Sequence, residues 1–172
     1  RSLNVATLWS VSVHKAYPGH FLHSCHQRGI ERTVRKSTLF APVSFAEGWA
    51  HYCEQMMVEE GLAKDNDRIK LGQTAEVLLR LARMVVGIRL HTEDMSVEQG
   101  VRFFQDAAHL EEGSARREAE RGTFDPAYVL YAAGRLMLRK LRADVQAREG
   151  SSFSLKSFHD RLLGHGSVPI WL

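Results

Sequence analysis

His14-Lys15-Ala16-Tyr17-Pro18-Gly19-His20 sets a proline–glycine pair between two histidines, inside a helical pattern that runs from about Leu8 to Gln27. Proline removes a backbone donor and clashes with the preceding turn, so a kink or break is expected there. Helix punctuation continues downstream. Ser44-Phe45-Ala46-Glu47 has the capping-box pattern and opens a helix to about Glu60, closed by Gly61. Asn66 or Asp67 can cap the next helix, whose apolar residues keep a helical period to about Leu90. Ser96 opens another, and Ser114 starts a short charged one. Asp125-Pro126 pairs a cap with proline at the first helical position, for a helix reaching Glu149 and stopping at Gly150. Ser154 caps the last helix, which ends at Gly164. No run reads as a strand pair. The punctuation predicts an all-α fold, an irregular bundle of about seven helices with short loops.

The chain of 172 residues, 44% hydrophobic, is one domain's worth, residues 1–172. It starts without methionine and reaches His14 almost at once, so it reads as the C-terminal part of a larger protein whose N-terminal region is its first partner. No apolar run approaches a membrane span, and no membrane association is expected. The net charge is +3, and most basic residues interleave with acids, as in the run from Glu111 to Glu118. That is a solvated helix face, not a phosphate-binding stripe, and nucleic acid is not an expected partner. Cys25 and Cys53 do not make a disulfide framework; they read as small buried thiols in a reducing, cytoplasmic setting.

His14, His20 and Glu47 are the residues that can carry chemistry. Two imidazoles and a carboxylate are the ligand set of a catalytic zinc site with one open position. In the familiar zinc helix the histidines are four apart and share a face. His14 and His20 are six apart, about 240° of rotation on a continuous helix, so their rings would diverge. The site closes only if Pro18-Gly19 re-aims His20, for which a bulge of one or two residues suffices. On spacing alone, the plainer reading is a packed histidine and a loop histidine, with Glu47 closing the capping box of Ser44. His23 and His26 extend the histidine row, and on the same footing read as half-exposed polar positions. His51 and Glu54 follow Glu47 at one and two turns, as ordinary polar contacts or as groups that orient a ligand.

Six blocks in order carry a resemblance over nearly the whole chain. They are His14 to Leu22, Glu47-Gly48-Trp49-Ala50, the arginine-rich helix running into Leu90-His91, Glu118 with Arg121 before Asp125-Pro126, Tyr131 with Gly134, and Phe158-His159-Asp160 followed by Gly166-Ser167-Val168-Pro169. Together they resemble the bacterial family known as domain of unknown function 885, regarded as a relative of the helical gluzincin zinc metallopeptidases. The resemblance implies half of a gluzincin-like fold, zinc as cofactor, a peptide as substrate, and His14, His20 and Glu47 as metal ligands. It implies Tyr131, or second His91, as the group that stabilises the oxyanion, against the alternative of a core tyrosine. By position Arg135 is a candidate to bind a substrate carboxylate through a bidentate contact.

Lys15 departs from the family pattern, which has glutamate there. A general base must accept a proton, and an ammonium cannot. An ammonium about 5 Å from a dication also costs several kcal/mol at an effective dielectric near ~20, before screening. Hydrolysis is expected to be impaired, and metal binding weakened or absent. The alternatives are a non-catalytic relative that keeps the cleft for a peptide or protein partner, and a helical assembly domain that forms a homodimer.

Overall fold

The computed structural model describes residues 4–171. Among these the chain is helical throughout, with α1 (Val5–Lys15), α2 (His20–Arg28), α3 (Thr33–Lys36), α4 (Val43–Glu59), α5 (Asp67–Thr92), α6 (Val97–Ala108), α7 (Glu112–Phe124), α8 (Leu130–Glu149) and α9 (Leu155–Gly164). Single 3-10 turns, Pro126–Val129 and Gly150–Ser152, lead into and out of α8. The all-α expectation holds. The count exceeds seven because the first predicted helix is two, and because the four-residue α3, which has no side-chain cap, left no mark in the sequence.

Two apolar cores organise the bundle. In the first, Val13 of α1, Phe45, Trp49, Tyr52, Cys53 and Met56 of α4, Leu138 and Val145 of α8, and Phe158, Leu162 and Leu163 of α9 pack together. In the second, Leu79, Ala82 and Val86 of α5 meet Val101, Phe104 and Ala108 of α6 and Ala115 and Ala119 of α7. Helix α1 packs against both α4 and α5 and so links the two cores. Helices α4 and α8 meet backbone to backbone. A Cβ on Gly48 would fall 2.6 Å from the Cα of Gly134, and one on Gly134 would fall 1.9 Å from the Ser44 carbonyl oxygen. No larger residue fits at either position while the helices keep this distance.

Several boundaries differ from the sequence reading. Helix α4 starts at Val43 with Pro42 as its N-cap and no side-chain cap, so Ser44 lies inside the helix and the predicted capping box is absent. Ser44 is buried against α8, and its carboxylate partner Glu47 is released for another role. Helix α7 begins at Glu112, ahead of Ser114. Asp125 does not cap α8; its carboxylate instead takes both Nε and Nη2 of Arg121, at 2.9 and 2.7 Å. Cys25 is exposed, contrary to the buried thiol expected there, while Cys53 is buried.

Candidate metal centre

The chain between the two histidines is a break, not the bulge that spacing suggested. Helix α1 ends at Lys15 and α2 begins at His20. Between them the Gly19 amide reaches back to the Val13 carbonyl at 3.0 Å and the Ala16 amide to Ser12 at 2.8 Å; the Tyr17–Pro18 peptide is cis. A Cβ on Gly19 would lie 2.0 Å from the His14 carbonyl oxygen, so this path is open to glycine only. The break turns His20 back toward His14. Their ring centroids are 4.8 Å apart at an interplanar angle of 88°.

Helix α4 delivers the third group. Glu47 Oε2 lies 3.2 Å from His14 Nε2 and 3.3 Å from His20 Nε2. One ligand atom from each of the three residues falls within 4.8 Å of the others. Zinc bonds of about 2 Å in tetrahedral geometry separate neighbouring ligands by about 3.3 Å, the separation seen on the two edges through Glu47. Burial works to raise the Glu47 carboxyl, but the two imidazoles outweigh it and hold the group well below the usual carboxylate range.

Behind His14 stands a second carboxylate. Glu54 is almost completely buried, and its Oε1 lies 2.7 Å from His14 Nδ1. Desolvation would raise this carboxyl, yet hydrogen bonds with His14 and His51 and the charge of Arg80 keep it ionised. An ionised carboxylate only accepts, so Nδ1 of His14 carries the proton and donates. Nε2 of His14 lies 3.2 Å from Glu47 Oε2, a contact that needs a proton or another positive charge between the two atoms. A bound metal dication would supply that charge in place of the proton. The donor set and spacing fit zinc, and Glu54 stands where metal-bound histidines commonly have an outer carboxylate. Glu54 is itself held by Ser10 Oγ and by Arg80 Nη2 at 2.9 Å, while Arg80 Nη1 also binds Glu76 at 2.9 Å. His51 Nδ1 lies 3.5 Å from the same Glu54 oxygen, and burial pushes this imidazole down to about 4. The sequence left the role of Glu54 open. Its seven-residue offset from Glu47, about 20° short of two full turns, was the available signal. Ser10 and Arg80 were missed; an arginine one turn after Glu76 on a helix with a buried face was their only trace.

The other sequence candidates divide. Half-buried Tyr131 stacks beside His14 at a centroid distance of 6.4 Å and an angle of 19°. Arg83 lies 6.0 Å from the centre of that ring, with its guanidinium paired to Glu118 through two 2.7 Å bonds. His91 does not join the site. It sits at the far end of α5, about 16 Å along the axis from Arg80, with Nε2 bonded to the Gly122 carbonyl at 2.9 Å. Arg135 is buried on α8 with Nη2 on Gln55 Oε1, and not solvated as helix arginines usually are. His23 is buried against Ser167 at 2.9 Å, and His26 is half-buried; neither joins the cluster of His14, His20 and Glu47. Lys15 is exposed at the last position of α1, directly after His14.

The fold and cluster define an all-α protein with a His–His–Glu constellation at a helix break. The chain belongs to the family described as bacterial protein of unknown function, DUF885, which it matches over residues 1–172. It is similar to a solved "putative lipoprotein of unknown function" from Shewanella oneidensis, at 26% identity and a TM-score of 0.91, over 98% of this chain and 31% of that one. It is also similar to the "putative lipoprotein" from Colwellia psychrerythraea, at 29% identity and a TM-score of 0.90, over 96% of this chain and 28% of that one. The chain thus spans about three tenths of the length of these two relatives. No curated protein matches it. No helix among the described residues is long and apolar enough to cross a membrane.

Proposed function

We propose that this chain carries a zinc-peptidase site of the His–His–Glu type whose hydrolytic step is suppressed by Lys15. The observation that supports it best is the Glu47 carboxylate oxygen 3.2 and 3.3 Å from two imidazole nitrogens, one of them backed by buried Glu54. His14, His20 and Glu47 would hold the ion, and zinc there supplies Lewis acidity toward a peptide carbonyl and an acidified water. Glu54 fixes the tautomer and orientation of His14. Tyr131 is the candidate to donate to a developing oxyanion: its ring lies beside His14, whereas His91 is bonded to the Gly122 carbonyl away from the cluster. The residue after the first histidine is where a general base belongs, and Lys15 brings a donor there.

Exposed Lys15 can be replaced without repacking. Lys15→Glu should produce metal-dependent cleavage across a broad peptide library, at least ~100-fold above the unaltered chain, the usual worth of a general base. A zinc-loaded Lys15→Glu protein that cleaves nothing would remove the peptidase reading. A second reading rests on Lys15 itself: the unaltered chain holds a peptide without cutting it. Peptide binding unaffected by a chelator favours that reading, and turnover by the unaltered zinc-loaded chain excludes it. The lipoprotein descriptions of the two relatives favour a membrane-surface location for this chain over a cytoplasmic one.

A further inference from the structure

Trp49 belongs to the Glu47-Gly48-Trp49-Ala50 block, yet it takes no part in the ligand set. Its indole Nε1–H donates to the Pro18 carbonyl at 3.0 Å, inside the protein. The same carbonyl lies 3.7 Å from Cys53 Sγ. Trp49 is 1% exposed and Cys53 fully buried, and Pro18 and Gly19 are buried too. The indole has little freedom to move. It packs edge-on against His159 at 5.3 Å and tilted against Tyr52 at 5.8 Å.

We infer that Trp49 is a positioning residue that staples the 16–19 break to α4 and thereby sets His20 against Glu47. The inference rests on the proposed metal site. A break of four residues between α1 and α2 has few internal bonds, and the bonds through Gly19 and Ala16 tie it only to α1. The Trp49 N–H ties it to α4, two residues beyond the ligand Glu47. One rigid helix therefore supplies a metal ligand and anchors the turn that aims another. The bond is between a buried donor and a buried acceptor, and deleting the donor leaves the Pro18 carbonyl only the weak Cys53 thiol at 3.7 Å.

The test replaces Trp49 alone with its benzothiophene isostere, in which sulfur takes the place of the indole N–H and the ring shape is kept. Trp49→Phe serves as a coarser variant. Tyr52→Phe, which deletes a buried hydroxyl in the same aromatic cluster but does not touch Pro18, is the control. Zinc affinity is read by chelator competition and geometry by the visible spectrum of the cobalt form. The isostere should weaken zinc about ten- to a hundredfold, as loss of an outer-sphere group does, and alter the cobalt bands, while Tyr52→Phe leaves both unchanged. Zinc affinity of the isostere within twofold of the parent would overturn the staple. If the parent binds no zinc, the peptidase reading falls, and amide exchange decides the staple separately. Without metal, the Gly19 amide should exchange at least tenfold faster in the isostere, with α4 and α8 unchanged. Unaltered Gly19 protection would then overturn the inference.

Discussion

Glu54 serves at once as acceptor for His14, partner of Arg80 and neighbour of His51. A buried carboxylate with this many cationic or donor neighbours stabilises only while all of them are present. Glu54→Ala leaves Arg80 in the interior with Glu76 as its remaining partner, at a cost of ~3–5 kcal/mol. It also frees the His14 ring to rotate and change tautomer, so the surviving folded protein should bind zinc ~10–100-fold more weakly. Urea unfolding and zinc competition on that variant check the two effects separately. A change in stability without a change in affinity would show that Glu54 is structural only. The three candidate ligands were legible as residue types and, through the family resemblance, as a set; spacing alone does not make them a site, because six residues on a continuous helix point the histidines apart. What the sequence could not give was the path of residues 16–19, which depends on where α4 lies. On spacing alone Glu47 reads as a capping residue because Ser44 satisfies the local pattern, and only the family resemblance points to it as a ligand. The tertiary contact of Ser44 with Gly134 overrides it, and Pro42 starts the helix instead.

At the scale of elements, glycines set how closely helices approach, and two of them decide the site. Gly134→Ala would drive a methyl into the Ser44 carbonyl and push α8 from α4 just where Glu47 emerges. The expected loss is ~2–3 kcal/mol from overpacking, seen as a lower melting temperature, with zinc binding reduced in parallel. Unchanged stability would mean that the helices slide apart freely, contrary to the backbone-to-backbone contact. Gly19→Ala should act more locally. It blocks the break, removes zinc binding, and leaves the second core, built on α5, α6 and α7, intact by amide exchange. The helices themselves were readable from punctuation. Caps at Asn66, Ser96 and Ser154 stand where the sequence puts them, because each side chain accepts a bond from its own first turn. The boundaries that shifted, at Ser44, Ser114 and Asp125, are those where another element claims the residue or a helix begins with no side-chain cap.

Across the whole molecule, buried imidazoles link stability to pH. Burial pushes His23, His51 and His159 down to about 4 from the ordinary 6.5. Between these values the unfolded chain binds protons that the folded one refuses. Folding is therefore fully favoured above about pH 6.5 and weakens as pH falls toward about 4. Each imidazole contributes a slope of up to about 1.4 kcal/mol per pH unit, with half-buried His159 giving less. Glu47 and Glu54, held below their usual range, push the same way at lower pH. Urea midpoints of the metal-free protein should fall steadily between pH 6.5 and 4. A flat profile there would contradict neutral, buried histidines.

Metal content tests the central claim most directly: the break between α1 and α2, together with α4, makes one metal site from His14, His20 and Glu47. Purified protein loaded with zinc and desalted should retain about one equivalent by elemental measurement, and each of His14→Ala, His20→Ala and Glu47→Ala should lose it while remaining folded. Absence of zinc from the parent, or zinc kept by all three variants, would contradict the account.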